Sequence, residues 1–171
     1  ELTHPRLAWS SSYSGYAMVG LRDSPKTLAF RRLGADGTAP DPENSVTSAL
    51  SCDSLAASVP PQMEVAPDGS WAVVLGCGTK PNFVLFNPDG SLTKPVSSLA
   101  GENGLHMISL AHTNTGWATA WDGGKLSVSR GSQLVTPDTL AGPQPAGNYP
   151  YNGVQILATA TDALELWWGF D

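Results

Sequence analysis

Apolar residues along this chain recur in short runs, set apart by turns rich in Gly, Pro, Asp and Ser. One phrase returns four times with drift. Leu7-Ala8-Trp9-Ser10 leads through a polar turn to Gly15-Tyr16-Ala17-Met18-Val19. Met63-Glu64-Val65-Ala66 leads through Pro67-Asp68-Gly69 to Ser70-Trp71-Ala72-Val73-Val74-Leu75. Ile108-Ser109-Leu110-Ala111 leads to Gly116-Trp117-Ala118-Thr119-Ala120-Trp121, and Val154-Gln155-Ile156-Leu157-Ala158 to Ala163-Leu164-Glu165-Leu166-Trp167-Trp168. Self-similarity at roughly 45–55 residues is the signature of a propeller or related array.

Each unit reads as strand, turn, strand, turn, strand, with a fourth strand in some. The pattern predicts strands over residues 6–10, 16–21, 27–33 and 45–50 in the first unit. It predicts them over 63–66, 71–75, 82–86 and 91–94 in the second, and over 107–111, 117–121, 125–129 and 133–136 in the third. The fourth unit stops after two strands. No segment sustains a 3.6-residue apolar period between caps, so helices are not expected. The second strands, such as Ala72-Val73-Val74-Leu75, are apolar on both faces, which is the pattern of a strand covered on both sides. Asn87-Pro88-Asp89-Gly90 and Asp122-Gly123-Gly124 are turn sequences: Pro presets φ, and Gly supplies φ > 0.

Leu7-Ala8-Trp9, Gly15-Tyr16-Ala17, Leu28-Ala29-Phe30-Arg31-Arg32-Leu33 and Gly34-Ala35-Asp36-Gly37-Thr38 carry a further likeness. Together they resemble the repeats of exported bacterial β-propellers, which typically run "LAW…GYAVAW…I-F-RL-ADGT". The likeness is closest in the first unit and looser in the other three. It implies a fold, an exported setting and a binding or scaffolding role. It implies no catalytic residue.

At 171 residues the chain fits one domain. Charged residues are 14% of it, while Gly at 18 and Pro at 14 are plentiful, a mix that suits short strands and tight turns rather than helices. Nine Lys and Arg are scattered through a chain of net charge −6, which argues against a nucleic-acid face and against anionic membranes. No stretch reaches the ~18 apolar residues of a bilayer span. Glu1 is the expected start of a processed mature chain or of a truncated one.

Cys52 and Cys77 form no metal-ligand spacing and are expected to pair as a disulfide, the competing reading being a redox or nucleophilic pair. A disulfide closing a loop of this size contributes roughly 3 kcal/mol. Asp36-Gly37, Asp68-Gly69, Asp89-Gly90 and Asp122-Gly123 invite comparison with calcium loops, but none has the ligand density of one, and hairpin chemistry explains them. His106 and His112 stand at the two ends of a strand, about 20 Å apart, too far to share a metal. No G-x-S-x-G sequence is present. Glu64, Asp68, Asp122 and Glu165 are the carboxylates from which glycosidase chemistry would have to be built.

Six tryptophans divide by position. Trp9, Trp71 and Trp117 hold similar places in the repeat and are expected to pack between sheets. Trp121, Trp167 and Trp168, with Tyr149 and Tyr151, are candidates for an aromatic platform that takes a sugar or a protein partner. The first strand of each unit would line a central channel, which makes Arg6, Glu64, Ser109 and Gln155 candidate channel residues.

The expectation is an all-β, propeller-like array of about four blades, over residues 6–50, 51–100, 101–141 and 142–171, the last incomplete and the whole part of a larger ring. A four-blade ring would require residues 1–5 to lend an outer strand to the last blade. The expected function is a non-enzymatic binding or scaffolding module, secreted, periplasmic or at the cell surface, completed by or assembled with another chain. It needs no cofactor, catalytic residue or metal, and carbohydrate is a candidate ligand. The alternative is part of a propeller-fold glycan hydrolase or lyase.

Overall fold

The computed structural model describes residues 2–23, 26–40, 44–46, 59–77, 80–99, 107–122, 126–131, 137–138, 153–158 and 164–169; from residue 126 onward, Ile156 excepted, it describes the backbone alone. Every element among the described residues is a strand. No helix among them is long and apolar enough to cross a membrane. The first sheet contains β1 (Thr3–Ser10), β2 (Gly15–Asp23), β3 (Lys26–Gly34) and β4 (Asn44–Val46). The second contains β5 (Gln62–Val65), β6 (Trp71–Cys77), β7 (Lys80–Phe86) and β8 (Leu92–Ser98). The third contains β9 (Met107–Thr113), β10 (Gly116–Asp122), β11 (Leu126–Gly131) and β12 (Pro137–Asp138), and the last pairs β13 (Gly153–Ala158) with β14 (Leu164–Gly169).

Each sheet is an antiparallel meander whose strand order follows the chain. The registers superpose the repeat onto itself. Ala17 lies opposite Ala8 and Arg32, Ala72 opposite Glu64 and Leu85, and Ala118 opposite Ala111 and Arg130. β1 breaks register between Thr3 and Arg6, where Pro5 has no N–H to give the ladder. Residues 3–5 therefore lengthen β1, with Thr3 opposite Leu21, instead of leaving to complete another sheet.

Alternation along the second strands builds two cores. Ala17, Val19 and Leu21 of β2, with Leu28 and Phe30, pack on Trp71, Val73, Leu75, Val84 and Phe86 of the second sheet. The intervening residues Ala72 and Val74 face the other way and join Phe83, Ile108, Leu110, Trp117 and Trp121. The second sheet is thus covered on both faces, which is why β6 reads as an unbroken apolar run. Phe30 stacks on Phe86 at 4.2 Å and meets Trp71 edge-on at 6.2 Å. Burying side chains of this size stabilises by roughly 1.5–3 kcal/mol each.

The first strands lie side by side: β1 beside β5, β5 beside β9, and β9 beside β13. Polar ties join them. Arg6 Nε donates to the carbonyl of Pro61 at 3.1 Å, and the Ile156 N–H donates to Ser109 Oγ at 3.0 Å. Thr119, fully buried, donates to the Ser109 carbonyl at 2.8 Å and satisfies its own hydroxyl in the core.

Candidate functional site

Three turns share one construction. In 34–38, 66–70 and 87–91, the first residue's N–H donates to the fifth residue's carbonyl, and the fourth residue, a glycine, donates back to the first carbonyl. These are three-residue hairpin loops closed by a glycine bulge. Gly37, Gly69 and Gly90 hold φ of 81°, 86° and 83°, a region that favours glycine. Pro67 and Pro88, second in their turns, have their own φ fixed by the ring at the value the turn needs. Asp36, Asp68 and Asp89 each accept from the backbone N–H and the hydroxyl of the residue two further on, Thr38, Ser70 or Ser91, at 2.6–2.9 Å. The carboxylates are thereby held as anions. At Asp36 and Asp68 the backbone N–H is the larger cause of the lowered pKa; at Asp89 the Ser91 hydroxyl is.

The β1–β2, β5–β6 and β9–β10 turns and the loops after β3 and β7 fall at the same end of their sheets, and they touch across sheet boundaries. Gly69 lies against Ser12 and Pro88. Arg32 Nη1 donates to the Pro88 carbonyl at 3.0 Å while its guanidinium lies 4.9 Å from the Tyr13 ring centre. His112 lies edge-on to Trp117 at 4.8 Å and helps hold Asp68 ionised. This end of the array is a continuous polar surface carrying Asp36, Asp68, Asp89, Arg32 and His112. Among the described residues no three His, Cys, Asp or Glu side chains converge as a metal site.

A second surface differs in kind. On the face of the first sheet turned away from the second, Leu7 is opposite Met18 and Trp9 opposite Tyr16. Leu7 is 62% exposed, Trp9 48% and Tyr16 37%. Trp9 and Tyr16 meet edge-on at 4.9 Å. Arg31 and Leu33 continue the face on β3, opposite Met18 and Tyr16. Contiguous exposed apolar surface of this kind marks an interaction site.

The candidate residues fall in different environments. Trp121 is fully buried in the second core, so it is core packing and no part of an exposed platform. Trp9, expected to pack between sheets as Trp71 and Trp117 do, is instead half exposed, because among the described residues no sheet covers its face. Trp167 and Trp168 are on β14, and Tyr149 and Tyr151 lie outside the described residues. Arg6 and Ser109 tie neighbouring first strands together. Glu64 shares a face with Ala72, toward the third sheet, where desolvation raises its carboxyl pKa although its tip still reaches solvent. Gln155 is on β13, opposite Trp167. Cys52 and His106 lie outside the described residues, and Cys77 ends β6 with its backbone alone described. The exposed group Leu7, Trp9 and Tyr16 was missed from sequence: an apolar residue at the end of an array carries the same signal as one in its middle.

A scan against protein-family models finds no match to this chain, and a search of curated proteins finds none either.

Proposed function

We propose that the chain is a non-enzymatic, exported binding or scaffolding module, built as part of a β-propeller and assembled with another chain. The side-by-side first strands and the repeated sheet-on-sheet packing support the propeller reading. The exported setting rests on the resemblance of the first repeat. The observation that carries the functional reading is the open apolar face of Leu7, Trp9 and Tyr16, at the place where a further sheet would pack. The polar turn end supplies a second, adaptable surface.

One observation favours a glycan hydrolase: Glu64 sits on a first strand with a raised pKa, the property of a general acid. Such enzymes use two carboxyl groups about 5–9 Å apart. Glu64 is the sole carboxylate on β1, β5, β9 and β13, so the binding module is the better reading. Incubation with a panel of polysaccharides should release neither reducing nor unsaturated ends. Release by the wild-type chain that disappears in Glu64→Gln overturns the reading.

A further inference from the structure

We infer that the open face of the first sheet takes an acidic segment of a partner protein, which lays apolar side chains on Leu7, Trp9 and Tyr16 and sets a carboxylate on Arg31. This rests on the binding-module reading and names the chemistry of its partner.

Register fixes the make-up of the face. Leu7, Met18 and Arg31 form one row across β1, β2 and β3, and Trp9, Tyr16 and Leu33 form the next. Arg31 is the one charged member. Toward the other end the chain covers this face itself: Leu2 lies against Gly20, and Ala29 and Thr27 are buried. The contact is thereby confined to two rows of three side chains, about 10 Å wide at the usual strand spacing. A short segment fills such a footprint.

The same two rows recur inside the molecule, where they are closed. Met18 and Tyr16 correspond to Val73 and Trp71, and Arg31 and Leu33 to Val84 and Phe86. Those four residues of the second sheet lie buried against the first. Arg31 thus stands where an apolar join has Val84. Its Nε is buried with no hydrogen-bond partner among the described residues. A donor buried without an acceptor is destabilising, and an incoming carboxylate would supply a charge-assisted bond.

Charge points the same way. β1, β2 and β3 carry Arg6, Arg22, Lys26, Arg31 and Arg32, five of the chain's nine Lys and Arg, against one acid, Asp23. The whole chain has a net charge of −6, so the first sheet is a basic region of an acidic protein and favours an acidic partner. Trp, Tyr, Met and Arg are the residues that protein interfaces favour. Leu7, Met18 and Leu33, half of the two rows, would give a sugar no hydrogen bond.

Selection of a displayed library of short random peptides on the immobilised full chain, with Leu7→Asp as the subtracting surface, reads the partner's chemistry. The wild type should enrich peptides that combine Leu, Ile or Val with Asp or Glu. By fluorescence anisotropy, labelled copies of these peptides should lose at least about tenfold in affinity on Arg31→Gln and on Leu7→Asp, with circular dichroism spectra unchanged. Arg31→Glu should select Lys or Arg in place of the acid. No enrichment, enrichment of peptides without an acid, or binding indifferent to Arg31→Gln overturns the inference. So does retention on polygalacturonate that disappears in Trp9→Ala, which makes the occupant an acidic glycan. Any of these without Glu64-dependent release of glycan ends overturns the inference alone. Such release overturns the reading beneath it.

Discussion

Gly69→Ala offers the sharpest check on how the first two sheets meet. Gly37 and Gly69 occupy the same place in the same hairpin, at φ of 81° and 86°. An alanine Cβ at residue 37 would meet nothing within 4 Å, so Gly37→Ala carries only the left-handed backbone penalty, about 1–2 kcal/mol. At residue 69 the same Cβ would overlap Ser12 Oγ and lie 3.2 Å from Ser12 Cβ. Ser12 must then swing away and give up its 2.9 Å hydrogen bond with Ser10 Oγ, which costs about 1 kcal/mol more. Gly69→Ala is therefore expected to cost about 2–3 kcal/mol, a further fall in Tm of roughly 2–4 °C beyond Gly37→Ala. In a Ser12→Gly background the excess should vanish, and urea denaturation of the four variants measures that coupling directly. Equal costs at residues 37 and 69, or an excess that survives Ser12→Gly, would show that the turns of the two sheets do not meet as described.

Phe30→Ala empties the site between Trp71 and Phe86 and should cost about 3–5 kcal/mol in chemical denaturation. Thr119→Val keeps the buried volume but strips the Ser109 carbonyl of its donor, a loss of about 1 kcal/mol by the same measurement. Glu64 has a raised pKa when folded, so its contribution is fully present below the unfolded value, about 4.3, and is lost as pH rises through the folded one. Glu64→Gln should accordingly stabilise the protein at neutral pH and change nothing at pH well below 4. Asp36, Asp68 and Asp89 act with the opposite sign: their stabilisation is complete above the unfolded Asp value, about 3.9, and is lost as pH falls through their lowered pKa values. Replacing all three by Ala should flatten the acid limb of a stability–pH curve, and a curve that keeps its slope would refute their role.

Local pattern revealed the strands because two-sided apolar runs and Gly/Asp turns are decided within a few residues. β2, β6 and β10 lie where the runs Tyr16–Val19, Trp71–Leu75 and Trp117–Trp121 fall, and the Pro67-Asp68-Gly69 and Pro88-Asp89-Gly90 turns form as their chemistry requires. The expected strand over residues 133–136 lies outside the described residues, and β12 is described over Pro137–Asp138. Exposure was a different matter. Tyr16 and Trp71 hold the same register place, each just before the alanine that opens its second strand's apolar run, yet one is 37% exposed and the other fully buried. That difference depends on which sheet has a neighbour, and it is written tens of residues away. The role of Arg6 was similarly hidden, since its partner is the carbonyl of Pro61, a residue that offers no sequence cue.

The second sheet belongs to both cores, whereas the first sheet joins only one among the described residues. Contacts of this kind run between neighbours, so cooperativity passes along the array one sheet at a time. A cavity at Val73 or Val74 loosens a join on one side and slackens its neighbour through the shared strand. A cavity at Leu28 loosens a single join. Amide exchange should then grade along the chain, slowest in β6 and faster in β1, with unfolding entering from the end that Trp9 leaves bare.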